Sequence, residues 1–304
     1  MNRTMKRDQG LRHVSRIVVL VGLFATLTPG CTQKVEIVQT GPLAESPEAA
    51  MKRIKDDPVR FFEQTLAKTR KIKTLRMKFE RQERLGLFRE LKPIEHIIAE
   101  YRDQPFSVRF TWTDPGSDYR QCVYIQGKNK DRVALLPRKG LFGLPPSVGN
   151  YAPQLGVTFS KTRNPITDFG PRRMMERTLD RIEKAKPFGG TKITLLGIKE
   201  IGPAKEPCYE FQLVFPPGDE YPAKLQDLYI HTRTGLPVAT FVWQSKDLVR
   251  SSETLEAMYL YGEMEPNVAL PEEAFVIDAN RTNHTEPEAG KVQAARVAGD
   301  GRSG

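Results

Sequence analysis

The feature that most constrains the fold of this chain is the strict alternation of apolar and polar side chains in several short segments. Between Leu75 and Phe79, the apolar residues are separated by Arg76 and Lys78. Successive side chains of a β-strand point to opposite faces of a sheet, so the alternation predicts strands that bury one face. The apolar positions of the three clearest segments are Leu75, Met77 and Phe79, then Phe106, Val108, Phe110 and Trp112, and then Tyr209, Phe211, Leu213 and Phe215.

Further strands and a few helices complete the set of predicted elements. Strands are predicted at 94–101, 119–126, 131–136, 191–201, 225–231, 236–243 and 254–262. Ser46 and Asp57 each precede a proline, which is typical of a helix N-cap followed by proline at the first helical position. A mid-chain helix is predicted to begin at Pro171, with Met175 and Leu179 on its apolar side.

These elements predict an α+β fold. A parallel doubly wound sheet needs a helix after each strand, and the sequence predicts far fewer helices than strands. About ten short strands with two or three helices favour a strongly curved antiparallel sheet. The sheet is expected to form an unclosed half-barrel, with the helices as its lid or plug.

The first 30 residues have the composition of a secretory signal peptide. A basic segment is followed by an apolar stretch of eleven residues from Ile17 to Leu27. A helix of that length extends only about 16 Å, which is too short for a hydrocarbon core of about 30 Å. Residues 1–30 are therefore predicted to be a signal peptide.

Cys31 follows this segment directly and admits two interpretations. The stretch Leu27–Cys31 resembles a lipobox, in which a small residue precedes a cysteine that is lipidated and becomes the mature N-terminus. Alternatively, ordinary cleavage near Gly30 leaves a free thiol. Lipidation would hold the protein on a membrane without spanning it. The expected location is the bacterial cell envelope, at the periplasmic face of a membrane.

Composition divides the rest of the chain into three parts. Residues 31–46 lack apolar periodicity and are predicted to be the lipidated N-terminus and a flexible tether. Residues 47–282 contain the predicted strands and helices and are expected to form a single half-barrel domain. Residues 283–304 are rich in Glu, Ala, Gly and Arg, which predicts a disordered tail.

The charge of the chain does not indicate a nucleic-acid-binding protein. The net charge is +10, but residues 1–30 contribute +4 of it. The remainder is spread over the other residues, whereas a nucleic-acid-binding module concentrates its charge. Arg172, Arg173, Arg177 and Arg181 of the predicted mid-chain helix are interpreted either as an ordinary basic helix surface or as a patch that lies on anionic lipid head groups.

No catalytic, nucleotide-binding or metal-binding motif occurs in the sequence. The signatures of serine hydrolases, P-loop proteins, zinc metalloproteases and dinucleotide-binding folds are all absent. Of the four histidines, only His96 and His231 lie within 47–282, which is too few for a His-rich metal site. The sequence therefore predicts a protein that is not an enzyme and has no catalytic residue, no metal site and no cofactor.

Cys122 and Cys208 also admit two interpretations. They could form a disulfide in an oxidising compartment, because alternation places each on the more polar face of its strand. Alternatively, they are two independent, half-buried thiols. The sequence leaves both possibilities open.

The order of the elements resembles that of a known superfamily. The residues that carry the resemblance are Phe79–Glu83, Tyr101–Phe110, Tyr124–Gly127, the hairpin Leu228–Val238, Leu255–Tyr261 and Asn267–Phe275. Over about 70–280 the chain resembles the LolA/LolB-like superfamily of periplasmic lipoprotein carriers and receptors. Within it, the chain is most similar to a planctomycete-type branch of outer-membrane lipoprotein-sorting-like proteins.

The resemblance implies an unclosed β-barrel whose concave apolar face, covered by helices, receives acyl chains. In this chain that face would consist of the apolar positions of the three clearest strands, together with Met175 and Leu179. The mid-chain helix is one candidate lid. The other is the apolar but loop-like stretch that contains Leu141, Phe142 and Leu144.

The function that this resemblance implies is that of a non-enzymatic envelope lipoprotein. It would bind a lipid, an acyl chain or an acylated protein in its apolar cup. The alternative is a structural or regulatory envelope protein that binds a protein partner on the same scaffold. The protein is expected to be a monomer.

Overall fold

The computed structural model describes residues 46–140, 144–217, 224–244 and 247–277. These contain the helices α1 (Pro47–Asp56), α2 (Pro58–Thr69), α3 (Leu155–Thr158) and α4 (Pro171–Ala185). The strands are β1 (Thr74–Leu85), β2 (Glu90–Leu91), β3 (Glu95–Arg102), β4 (Ser107–Trp112), β5 (Tyr119–Ile125), β6 (Val133–Pro137), β7 (Gly149–Tyr151), β8 (Lys192–Ile201), β9 (Glu206–Val214), β10 (Leu225–His231), β11 (Pro237–Trp243) and β12 (Leu255–Pro266). The predicted signal peptide, Cys31, the tether up to residue 45 and the predicted tail lie outside the described residues and stay predictions.

α1 and α2 begin where the sequence predicts, and side-chain caps explain why. The Ser46 hydroxyl accepts a hydrogen bond from the Ala49 N–H at 3.2 Å. The Asp57 carboxylate accepts one from the Arg60 N–H at 3.0 Å. Each cap satisfies an N–H that the first helical turn leaves without a backbone partner, and each is followed directly by proline.

The twelve strands belong to one antiparallel sheet, in the order β7-β6-β5-β4-β3-β1-β12-β11-β10-β9-β8, with β2 paired to β1. β1 and β12 lie side by side, so their pairing joins an N-terminal meander to a C-terminal one. β7 and β8 form the two edges, and the curved sheet is therefore not closed. The predicted α+β half-barrel is confirmed, with four α-helices in the described ranges, of which α3 is a single turn.

Helices fill one end of the concave face. α1, α2 and α4 cover β9 and β10, and the side chains between them form a packed core. Phe62 of α2 and Phe211 of β9 are fully buried, with ring centroids 4.8 Å apart. Truncation of such a side chain costs about 3–5 kcal/mol, so this end contributes strongly to stability.

The other end of the concave face carries a second apolar cluster, formed mainly by β1, β3 and β4. Phe169, which lies just before α4, inserts into this cluster. Its ring centroid is 5.1 Å from that of Phe79 and 4.7 Å from that of Phe110. This end is not filled to the same extent, because a cavity remains above the cluster.

Candidate ligand-binding site

The concave face borders a cavity of about 770 Å³. Its lining comes from the sheet, from α4 and from residues 144–168, here called the cover segment. Sites for small molecules occupy about 300–1,000 Å³, and packed interiors contain few voids larger than a water molecule. A cavity of this size is therefore a candidate binding site and not a packing defect.

Most of the lining that the sheet supplies is apolar. The apolar and aromatic residues from the strands are Phe79, Phe110, Trp112, Tyr119, Cys122, Val133, Leu135, Pro137, Tyr151, Val242, Tyr259 and Tyr261. The segment around the start of α4 adds Ile166, Phe169 and Met174. Such a lining favours the hydrocarbon part of a ligand.

Buried polar contacts tie the cover segment to the sheet. Both carboxylate oxygens of Glu83 on β1 accept the Arg163 N–H at 3.3 Å, and the Tyr259 hydroxyl on β12 donates to Glu83 at 2.5 Å. The Asn164 side-chain amide donates to the Tyr259 hydroxyl at 2.7 Å. The Arg163 guanidinium donates to Glu256 at 2.6 Å. Because Glu83 is buried, loss of a partner would leave its charge poorly satisfied.

The same region holds a tyrosine that stays protonated and an arginine that stays charged. Burial and the nearby Glu83 carboxylate raise the pKa of Tyr259 well above its ordinary value, so its hydroxyl remains a donor. Burial lowers the pKa of Arg81, but Glu83 and Glu95 outweigh this effect and raise it. The Arg81 guanidinium lies 2.5 Å from Glu95, which makes it a paired cation in the cavity lining.

Exposed apolar side chains of the cover segment mark an opening of the cavity. Leu144, Tyr151 and Phe159 line the cavity, and all three are exposed to solvent. Leu144 and Phe159 expose about two thirds of their surface, at 66% and 65%. Apolar side chains that are both exposed and adjacent to an apolar cavity are expected where a hydrophobic ligand passes.

The structure brings only part of the predicted binding face to the cavity. Of the predicted residues, Phe79, Phe110 and Trp112 line it. Leu75, Met77, Phe106 and Val108 belong to the apolar cluster of the same end but lie outside the lining. These residues support the cavity wall and do not border the free space.

The predicted residues of β9 and α4 lie elsewhere. Tyr209, Phe211, Leu213, Phe215 and Met175 are buried in the core under the helices, and Leu179 packs against that core. None of them lines the cavity. The sequence predicts that these residues contact a ligand. In the structure, α1, α2 and α4 cover β9, so the protein's own side chains fill the concave face there.

The candidate lid is described only in part. Leu141 and Phe142 lie outside the described residues, whereas Leu144 lines the cavity from the cover segment. The mid-chain helix α4 also borders the cavity, but through Met174, Arg177, Thr178 and Arg181. Its predicted apolar side instead faces the packed core.

Sequence reasoning therefore missed the polar part of the lining. Both interpretations of Arg177 and Arg181, an ordinary basic helix surface and a patch on anionic lipid head groups, place them on the outer surface, whereas both line the cavity. Arg81 and Glu83 continue the alternation of Leu75, Met77 and Phe79, so the phase of β1 could have placed them on the concave face. Their charge argued against an inward position, but ion pairs and hydrogen bonds compensate for it.

The two cysteines are free and buried, so no disulfide joins them. Cys122 lines the cavity, whereas Cys208 packs with Tyr229 and Val238 in a cluster on the opposite face of the sheet. The interpretation as two independent thiols is confirmed, whereas the predicted half-burial and the position of Cys122 on the more polar face are wrong. Burial raises the pKa of each thiol to about 12, which disfavours the reactive thiolate.

The histidines have structural contacts. His96 is exposed, and its Nδ1 lies 2.8 Å from Asp114. His231 Nδ1 accepts hydrogen bonds from the N–H groups of Arg233 and Thr234 in the β10–β11 turn. Within the described ranges, no group of three or more metal-binding side chains occurs. No helix in this part of the chain combines the length and apolar character required to cross a bilayer.

An exposed apolar tip lies outside the cavity. Leu87 and Phe88, between β1 and β2, are 90% and 84% exposed. Neither lines the cavity. Two adjacent side chains of this size are costly to expose to water, so the tip is a candidate contact surface.

Comparisons with known proteins give one family and several distant structural likenesses. The model of a family described as "Protein of unknown function (DUF1571)" matches residues 72–283. No curated protein matches the sequence. Among solved structures, the chain is similar to the Pseudomonas aeruginosa MucA/MucB complex, with 15% identity, a TM-score of 0.42 and coverage of 73% of this chain. It spans 62% of the length of that matched chain.

Two further likenesses are to bacterial lipoprotein structures. The first is the Mycobacterium tuberculosis lipoprotein LppX, with 11% identity, a TM-score of 0.40 and coverage of 71% of this chain and 100% of that one. The second is a domain described as an outer membrane lipoprotein-sorting protein from Vibrio parahaemolyticus, with 8% identity, a TM-score of 0.32 and coverage of 71% and 95%.

Proposed function

The chain belongs to the DUF1571 family, and for this member we propose the function of an envelope protein that binds an acyl chain. The ligand is a lipid, a free acyl chain or the acyl group of a lipoprotein. It lies in the cavity between the sheet and the cover segment. The proposed role is carriage or reception of the ligand, without covalent chemistry.

The observation that carries this proposal is the hollow, largely apolar cavity. Each methylene group that moves from water into such a lining contributes about 0.8 kcal/mol. The stability of the domain does not depend on filling this space, because the core under α1, α2 and α4 is separate and packed. The fold can therefore keep one end of its concave face free for a ligand.

The lining favours binding over catalysis. The cysteine that borders the cavity, Cys122, has its pKa raised to about 12 by burial, so almost none of it is thiolate at neutral pH. Glu83 is engaged by Tyr259 and Arg163, and Asp168 by Arg177. These acids therefore hold the structure together and are not arranged as an acid–base pair.

We assign the protein to the bacterial envelope, held at the periplasmic face of a membrane by lipid on Cys31. This location rests on the lipobox-like sequence and the preceding apolar segment. An acyl-chain carrier needs contact with a membrane for loading and release. A lipid anchor keeps the cavity close to that membrane.

The test of the proposal is binding of a fluorescent fatty acid to the purified full-length protein and to two tryptophan variants. Val133→Trp places a large side chain in the cavity lining. Val214→Trp makes the same change at a half-buried valine outside the lining. Val133→Trp is expected to weaken binding about tenfold or more, and Val214→Trp to leave it unchanged. Absence of binding to the wild-type protein would refute the proposal.

A protein-binding scaffold is the second candidate, and the exposed tip formed by Leu87 and Phe88 favours it. Native mass spectrometry of protein purified from the envelope separates the two functions. Lipid that co-purifies supports the acyl-chain carrier. A stoichiometric protein partner without lipid, lost in a variant with Leu87→Ser and Phe88→Ser, would favour the scaffold.

A further inference from the structure

One cation in the cavity lining has no acidic partner among the described residues. Arg177 of α4 pairs with Asp168 at 3.4 Å. Arg181 lies one turn further along α4 and also lines the cavity. Its sequence neighbour Asp180 pairs with Lys184 at 2.8 Å. In the described part of the chain, no carboxylate forms an ion pair with Arg181.

The surroundings of Arg181 destabilise its charged form. Burial first, and then the guanidinium of Arg177, lower the pKa of Arg181 to about 10. The side chain is still charged at neutral pH, so the folded protein holds a partly dehydrated cation. The polar contact that the structure gives it is a long hydrogen bond, donated to Gln226 Oε1 at 3.5 Å.

The polar groups beside Arg181 are fixed by their own hydrogen bonds. The Gln226 amide donates to the Thr240 hydroxyl at 3.0 Å and to the Thr178 hydroxyl at 3.4 Å. The Thr178 hydroxyl donates to the Met174 carbonyl at 2.9 Å. Gln226, Thr178 and Thr240 are buried and line the cavity. This network holds a polar region of defined shape beside the apolar lining.

Most of the charged side chains around the cavity have the same sign as Arg181. Among the described residues, five cationic and two acidic side chains line it. Arg81 is neutralised by Glu95 at 2.5 Å, and Lys139 and Lys161 are exposed. Arg181 is therefore the partly buried cation whose charge a bound molecule would neutralise.

We propose that the ligand of this cavity is an anionic amphiphile, whose carboxylate or phosphate head group pairs with Arg181 while its acyl chain lies against the apolar lining. This inference rests on the proposed function and names the chemical class of its ligand. A guanidinium donates two parallel hydrogen bonds to a carboxylate or phosphate, which adds strength and orientation. Pairing also removes the cost of the isolated charge.

The experiment compares a fluorescent hexadecanoic acid with its uncharged methyl ester on the full-length protein. Two variants remove one charge each from α4. Arg181→Gln removes it from the cavity, and Arg173→Gln removes it from an exposed position outside the lining. The wild-type protein and Arg173→Gln are expected to bind the acid about tenfold more tightly than the ester, whereas Arg181→Gln binds both about equally.

A second comparison separates a lipid head group from a small anion. Hexadecyl phosphate is expected to displace the fluorescent acid from the wild-type protein. Inorganic phosphate at the same concentration is expected not to do so, because it gains nothing from the apolar lining. Displacement by inorganic phosphate as effective as that by hexadecyl phosphate would overturn the assignment to an amphiphile.

The outcomes distinguish failure of this inference from failure of the proposed function. Equal binding of acid and ester by the wild-type protein would overturn the inference and leave acyl-chain binding intact. No binding of either would refute the proposed function itself.

Arg181→Gln is expected to unfold at the same or a higher temperature than the wild-type protein, because the charge that it removes has no acidic partner in the wild-type protein. A decrease in its unfolding temperature as large as that expected for a broken buried ion pair would contradict the absence of an acidic partner. Arg181→Lys, which keeps the charge, is expected to keep the preference for the acid.

Discussion

Phe110 and Phe211 show how similar residues acquire different roles at the scale of a single side chain. Both are buried phenylalanines on the concave face of the sheet. The Phe211 ring is enclosed by Phe61 and Phe62 of α2, with ring centroids 5.7 and 4.8 Å away. The Phe110 ring borders the cavity. The first therefore stabilises the fold, and the second shapes the binding site.

The same charged substitution at these two positions tests this difference. Phe110→Glu is expected to abolish binding of a fluorescent acyl probe in a protein that stays folded, because water in the cavity can hydrate the new carboxylate. Phe211→Glu is expected to unfold the domain, because an unpaired charge in a packed core costs several kcal/mol or more. Circular dichroism and thermal unfolding measure folding, and probe fluorescence measures binding. Unfolding of Phe110→Glu would indicate a packed interior at Phe110 as well.

A second prediction at this scale concerns Cys31. Cys31→Ser is expected to move the protein from the detergent phase to the aqueous phase in detergent partitioning, because serine cannot carry the thioether-linked lipid. Cys208→Ser is the control, since that buried thiol lies within the folded domain. Unchanged partitioning of Cys31→Ser would exclude lipidation at this residue.

At the scale of elements, the cover segment is the part that decides access to the cavity. It contains β7, at the edge of the sheet, and then contacts β1 and β12 through Arg163 and Asn164. Side-chain and backbone hydrogen bonds of Thr162, Arg163 and Asn164 thus hold a long connection over a hollow interior. Such segments open at lower free energy than a packed core.

Tyr259→Phe is expected to loosen the cover segment without unfolding the domain. The substitution removes the hydrogen bonds that the hydroxyl makes with Glu83 and Asn164, at a cost of about 1–3 kcal/mol. We expect faster hydrogen exchange in residues 155–169 and faster binding and release of an acyl probe.

The matched control is Tyr229→Phe. The Tyr229 hydroxyl donates to Glu210 at 2.7 Å on the opposite face of the sheet. This variant is expected to lose stability without any change in probe kinetics. Equal effects of the two variants on probe release would contradict a gating role for the cover segment.

At the scale of the whole molecule, one sheet supports two different interiors. The pairing of β1 with β12 joins the two meanders into a continuous surface. Helices fill the concave face over β9 and part of β10, and the cavity borders the rest of the concave face, from β7 across β1 and β12 to Gln226 of β10. A packed end that supplies stability allows the other end to remain hollow without loss of the fold.

Ligand binding is expected to stabilise the whole domain by mass action. A ligand that binds only the folded state contributes about 2.7 kcal/mol when its concentration is one hundred times Kd. A saturating fatty acid should therefore raise the unfolding temperature of the wild-type protein by several degrees, as measured by differential scanning calorimetry. Val133→Trp should show little change at the same concentration. An equal increase in both proteins would indicate binding outside the cavity.

Much of the fold could be predicted from the sequence because its signals are local. The alternation around Phe79, Phe110 and Phe211 reflects the two-residue period of a strand, and the caps at Ser46 and Asp57 act within one helical turn. The same signals also indicated the inward phase of these three strands, but not that Cys122 faces inward. They did not show that α1, α2 and α4 cover β9, because that contact joins segments far apart in the chain.

The binding site depended on the tertiary structure for the same reason. An apolar face packs into a solid core or borders a cavity according to what lies over it, and alternation contains no information about the covering element. Arg177 and Arg181 look like surface residues of an amphipathic helix until α4 is placed beside the cavity. Although it missed the inward charges of Arg81, Glu83 and Arg181, alternation in the sequence indicated which apolar side chains of the strands point inward. The tertiary structure decided which of them meet free space, because only the placement of distant segments leaves part of the concave face uncovered.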